Sequence, residues 1–155
     1  MLWIINICAG IGIILIVRFI YIFILSKRTK KWEITKGEII SSKIQESLDF
    51  GAGYRAVIRY KYTIEEKEYL SNRIFYGDSI QKNSPKSAKT LVNKYINGEK
   101  VTVYYNPQYP NKSVLETGVH AVIYRALIAG ILLLLLSIVI LTKQSFLVSS
   151  VRLNL

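Results

Sequence analysis

Hydrophobic and polar positions divide the chain into three parts. Leu2–Leu25 is apolar except for Asn6 and Arg18, and Val119–Thr142 is interrupted chiefly by His120, Tyr124 and Arg125. A run of about 20 apolar residues, at the helical rise, matches a hydrocarbon core of about 30 Å. Each stretch is too apolar all round to be one face of a soluble helix. Both are expected to be transmembrane helices. A cleaved signal peptide is disfavoured for the first, because "MLWIINICAG" opens without a side-chain cation and the run ends in "FILSKRTKKW", not a small-residue cleavage site.

The middle of the chain changes period. In "YRAVIRYKYTI", Tyr54, Ala56, Ile58, Tyr60, Tyr62 and Ile64 fall on one face, with Arg55, Arg59, Lys61 and Thr63 opposite. That alternation predicts a half-buried strand. "WEITKGEIISSKIQES" is β-rich, and the glycines of "FGAGY" predict a hairpin between the two. "EEKEY" turns the chain into a third expected strand, "YLSNRIFYG", and "KVTVYYN" is the next. One helix lies between these last two. Ser84 suits its N-cap, Pro85 its first position and Asn97-Gly98 its end. Ala88, Leu91, Val92, Tyr95 and Ile96 recur at helical spacing and form the stripe expected to face the sheet. The expected fold is a membrane protein in which two transmembrane helices, 1–25 and 119–142, flank a small β-rich (α+β) domain, 26–118, of about five strands and one helix, with 143–155 as a tail.

Charge adds an orientation. Of a net +11, residues 26–118 hold 17 Lys and Arg and all 10 Asp and Glu. Lys27, Arg28, Lys30, Lys31 and Lys36 crowd the flank after the first apolar stretch. Cations near helix ends stay on the cytoplasmic side. The domain is therefore expected in the cytoplasm and both termini outside. Arg18 and Arg125 lie eight and seven residues inside the two boundaries, roughly 10–12 Å deep at the helical rise. From that depth both reach headgroup phosphates by snorkelling. Anionic lipid is the partner this cluster fits, at about 1 kcal/mol per cation near the surface. The remaining lysines are scattered among acids and no recognition motif is present, so nucleic acid is not expected.

Catalytic candidates are few. Cys8 is the only cysteine and sits in the first apolar stretch; His120, the only histidine, sits at the start of the second. Neither a thiolate metal site nor a Ser–His–Asp set can be assembled from the middle segment. "GAG" at 51–53 lacks the rest of a dinucleotide loop, and there is no Walker lysine. Glu65, Glu66 and Glu68 fall in an expected exposed turn. Neither an enzyme nor a cofactor is expected. In "VTVYYNPQYPNKSVLE", Asn106-Pro107 favours turn initiation. Pro110 cannot donate to a ladder and is expected to keep Gln108–Asn111 out of the sheet. Asn106, Pro107 and Pro110 thus read as a rigid turn.

A strand ending in "VYYNPQYP", then "SVLETG" and an apolar helix, resembles the bacterial domain of unknown function family three-five-nine-two. "W…TKGEI", "YRAVIRYKYTI…EYLSNRIFYG" and "AKTLVNKYINGEKVTVYYNP" follow its order, and the family's "NPxxPxxSxLE" pattern falls on Asn106, Pro107, Pro110, Ser113, Leu115 and Glu116. The Lys-rich turn "EEKEY" departs from the shorter glycine-containing turn typical there. The resemblance implies a two-helix membrane protein with a β-rich domain and brings no activity. Two functions are expected on these grounds. One is a non-catalytic binding or scaffold domain at the bacterial inner membrane, docking an unidentified protein. The other is an immunity protein that neutralises a toxin there.

Overall fold

The computed structural model describes residues 2–47, 53–78 and 84–153. It falls into two compact units, Met1–Tyr21 with Ile123–Leu155, and Ile22–Val122.

Two long apolar helices dominate the first unit, α1 (Leu2–Arg28) and α3 (Tyr124–Leu153). Many of their described apolar side chains are exposed, Ile14 to 65% and Leu132 to 60%, while Ile5 and Ser137 are buried. Their backbones meet at two glycines. A Cβ built on Gly12 would lie 3.0 Å from the Gly130 carbonyl oxygen, and one on Gly130 would lie 2.9 Å from that of Gly12. Of the other small residues in these helices, Gly10 faces open space and Ala129 is exposed. The Ser137 hydroxyl donates to the Leu133 carbonyl one turn back, which satisfies it within its own helix.

The second unit is a five-stranded antiparallel sheet with one helix. Its strands are β1 (Glu33–Ser47), β2 (Gly53–Ile64), β3 (Lys67–Ser71), β4 (Lys100–Asn106) and β5 (Tyr109–Val114), in the order β3-β2-β1-β4-β5. The alternation in β2 is real: Ala56, Ile58, Tyr60 and Tyr62 are buried and Arg55, Arg59 and Thr63 exposed. β1 is long enough to pair with β2 on one side and β4 on the other, and it shifts register between Ile39 and Ser41. A bulge of this kind bends and twists a strand, and the sheet curls until its two edges, β3 and β5, come alongside each other. Two backbone bonds lace the edges, from the Leu115 and Glu116 N–H groups to the Ile74 carbonyl (3.0 and 2.8 Å). With its helix α2 (Pro85–Lys94) between β3 and β4, this has the layout of a small, partly open OB-type barrel.

Three expectations change. The third strand stops at Ser71; Ile74 and Phe75 are buried from a turn rather than from a strand, where Ile74 bonds to the segment after β5 and Phe75 stacks on His120. α2 ends at Lys94, before Asn97-Gly98. Tyr95 (φ −119, ψ 84) has left helical geometry, so Ile96 falls off the stripe and is 59% exposed. Ala88 and Tyr95 are buried as expected, while Leu91 and Val92 are half-buried. Finally, Pro110 lies within β5 and not outside the sheet. β5 is an edge strand, where a missing N–H costs the ladder nothing. The "FGAGY" turn lies mostly outside the described residues.

Glu65 and Glu66 form the two-residue connection of the β2–β3 hairpin, with Ile64 paired to Lys67. Both have positive φ (47° and 63°). A two-residue turn with both central residues left-handed is the type I′ geometry, which Asn-Gly adopts without strain. Glu65→Asn with Glu66→Gly should therefore stabilise the protein by about 1–2 kcal/mol. Thermal unfolding in detergent would show a raised midpoint; an unchanged or lowered one would mean the turn is not strained.

Candidate functional site

The stretch that most resembles a signature, Asn106 to Glu116, is spread along β4, β5 and the turn between them. Each of its distinctive residues has a structural partner. The Asn106 side-chain oxygen accepts from the Gln108 N–H at 2.9 Å, closing a turn over Pro107. The Pro110 carbonyl accepts from the Tyr62 hydroxyl at 2.6 Å. Ser113 is buried, with its hydroxyl 3.0 Å from that of Tyr60. The Tyr60 hydroxyl also donates to the Arg73 carbonyl at 2.9 Å, and burial pushes its pKa up to about 12. Side chains from β2 thus reach through the barrel to hold β5, and this closes the sheet.

Glu116 ends the stretch and carries its charge. One carboxylate oxygen accepts from Lys94 Nζ and from the Tyr95 hydroxyl, both at 2.7 Å. The other lies 3.7 Å from His120 Nδ1. Burial alone would raise the Glu116 pKa, but the hydrogen bonds from Lys94 and Tyr95 prevail and hold it below the ordinary carboxylate value. The His120 ring stacks on Phe75 at 3.9 Å between centroids. Burial pushes its pKa down, against the pull of Glu116. Tyr95 is pushed up by burial and by the adjacent carboxylate. These side chains tie the end of α2 to the segment that follows β5.

A second tie joins the two ends of this unit. The Thr29 hydroxyl donates to the Ser26 carbonyl (2.7 Å) and accepts from the Gly118 N–H (2.9 Å). All three residues are buried. Gly118 has φ +88°, a left-handed conformation suited to glycine. Among the described residues no three His, Cys, Asp or Glu side chains converge as a metal site would need. The chemistry gathered here is ion pairing and hydrogen bonding that shape a fold.

The sequence profile of a domain of unknown function, DUF3592, matches residues 35–120. The chain belongs to the DUF3592 family. No curated protein matches it. The DUF3592 match begins at the third residue of β1 and ends on His120, so it takes in the sheet but for the first two residues of β1, together with α2 and the Glu116 cluster.

The six cations singled out from the sequence lie outside the DUF3592 match. Lys27 and Arg28 form the last turn of α1, and Lys30 and Lys31 belong to the 3-10 turn Thr29–Lys31 that follows. All four are exposed, and Lys27 Nζ stands 4.9 Å above the Phe23 ring. Arg18 and Arg125 are exposed on α1 and α3. Tyr124, next to Arg125, packs its ring 5.6 Å from that of Phe19. The structure therefore separates two groups of residues. The cations are exposed at the surface, whereas Asn106 and Pro110 hold hydrogen bonds within the fold and Pro107 lies in the turn that Asn106 closes. The sequence marks Tyr60 and Tyr95 as core positions only and gives no sign of the hydrogen bonds of their hydroxyls, or of the roles of Thr29 and Lys94, because these depend on partners distant in sequence.

Proposed function

We propose that this protein is a non-catalytic, membrane-anchored binding or scaffold protein. α1 and α3 cross the bilayer, and the DUF3592 domain stands at the cytoplasmic face of a bacterial inner membrane, where it docks a protein partner. The observation that carries this reading is the exposure of both helices. Only 6% of the apolar window of one and 11% of that of the other is buried. The core helix of a soluble protein would be mostly covered, and leaving two such surfaces in water would be very costly. A bilayer removes that cost. Lys27, Arg28, Lys30 and Lys31, exposed where α1 ends, then face anionic headgroups, and Arg18 and Arg125 reach the same level from within.

Topology tests the reading. In a Cys8→Ser background, a cysteine at exposed Ser87 should resist a membrane-impermeant maleimide in intact cells and react after lysis. A cysteine at Lys143, beyond the apolar part of α3, should react in intact cells. The reverse pattern would overturn the cytoplasmic placement. Release of the protein from membranes by alkaline carbonate would overturn the membrane anchor itself.

A further inference from the structure

β3 pairs only with Tyr60–Ile64 of β2, so the first half of β2 runs on past the end of its neighbour. Beside that half is a cleft of about 190 Å³. Arg55 and Arg59 of β2 line it together with Gln45 of β1, Asn72 and Ile74 from the segment after β3, and Leu91 of α2. Arg55 and Arg59 lie on one face of the strand by its alternation, and both are exposed.

Among the described residues, no acid stands opposite either guanidinium group on β1. Across the β1–β2 ladder Arg55 faces Gln45 and Arg59 faces Ser41. Lys61, on the same face of the same strand, is treated differently. It faces Glu38 and lies 4.0 Å from Glu68. Among the described residues neither arginine forms an ion pair. Asp78 also lines the cleft, but one of its oxygens accepts from the Ile74 N–H at 2.8 Å, so it closes the turn there. Two guanidinium forks, two neutral amides and an apolar wall make up the rest of the lining named here.

We infer that this cleft binds a phosphate group, held by Arg55 and Arg59. Guanidinium presents paired N–H donors in a plane that matches two oxygens of a phosphate, and two such forks suit a group carrying up to two negative charges. Gln45 and Asn72 supply further donors, and Ile74 and Leu91 flank a short apolar part of the ligand. The phosphate comes from a soluble monoester or from a lipid headgroup. The inference rests on reading the domain as a binding module but not on which side of a membrane it stands. Labelling at Ser87 and Lys143 reports placement, and the titration below reports this cleft, so the two fail separately.

The test uses the purified full chain in neutral detergent micelles. Inorganic phosphate should raise Tm above the effect of chloride at equal ionic strength, because a ligand that binds only the folded state stabilises it. Arg55→Gln with Arg59→Gln should lose that excess while keeping the Tm seen in chloride. Lys36→Gln with Lys61→Gln, which removes the same charge from the sheet at residues that do not line the cleft, should retain it. If the double arginine variant folds poorly, Arg59→Lys serves instead; it keeps the charge, loses the fork and should weaken the phosphate effect. A parallel series with phosphatidic acid in the micelles separates the sources. An excess with inorganic phosphate alone marks a soluble ligand, and one that needs phosphatidic acid and is lost in the arginine variants marks a headgroup. No excess in either series, or one equal in wild type and arginine variants, would overturn the inference.

Discussion

Gly37→Ala should destabilise the β-rich unit by about 3 kcal/mol, at the upper end of the usual cost of overpacking. Gly37 lies in β1 where that strand is paired on both sides, with Tyr62 of β2 and Val101 of β4. A Cβ added there would sit 2.6 Å from Val103 Cγ2 and 2.7 Å from the Lys61 carbonyl oxygen. Both distances are shorter than carbon and its neighbours tolerate, and the second involves backbone, which a rotamer change cannot relieve. The missing side chain is therefore a condition for the curl of the sheet. Val103 is fully buried, so Val103→Ala alone should also destabilise, by leaving a cavity. Combined with Gly37→Ala it should cost less than the sum of the two changes, because it removes one clash and leaves the other. Urea unfolding of the four proteins in micelles measures the coupling. Strict additivity, or a Gly37→Ala protein as stable as the parent, would show that the strand has room at this point.

How much of this could be read in advance varies with the range of the interaction. β2 was legible because its signal is local: every second residue from Ala56 to Tyr62 is buried. The start of α2 was legible for the same reason, since the Ser84 side chain accepts from the Ser87 N–H within one turn. β5 was not, because Pro110 reads as a break unless the strand is known to lie at an edge, and edge position is a property of the whole sheet. Ile74 and Phe75 misled in the opposite sense. Their burial comes from closure of the barrel, and apolar residues buried in a turn look in sequence like a continued strand. Glu116 shows the limit most clearly. It belongs to the family pattern, yet its partners Lys94 and Tyr95 lie 22 and 21 residues away. The cations of the candidate surface were found easily, since exposed charge beside an apolar run needs no tertiary information. The neutral cross-strand neighbours of Arg55 and Arg59 needed the register of β1, which places Gln45 and Ser41 opposite them.

Gly130→Leu should have the largest effect in the helical unit, and its outcome bears on what the helices are for. In lipid there is no hydrophobic force between helices, so association depends on close packing and on small residues that let backbones approach. The pattern Ala126-x-x-x-Gly130 suggests such a surface on α3, with Ala9, Gly10 and Gly12 on α1. Only part of it is used, since the mutual approach is at Gly12 and Gly130. A Cβ on Gly130 would also lie 2.9 Å from Ile16 Cγ1 and 3.3 Å from Leu15 Cβ. A leucine there must push the helices apart and forfeit the dispersion contacts along them. Because both glycines belong to one chain, the loss should appear as lower thermal stability with no change in oligomeric state. Gly10→Leu, at a position facing open space, should be close to silent. Native mass analysis and cross-linking in mild detergent separate the possibilities. A wild-type dimer that Gly130→Leu converts into a stable monomer would mean that the glycines meet between chains, and would make self-association part of the protein's function.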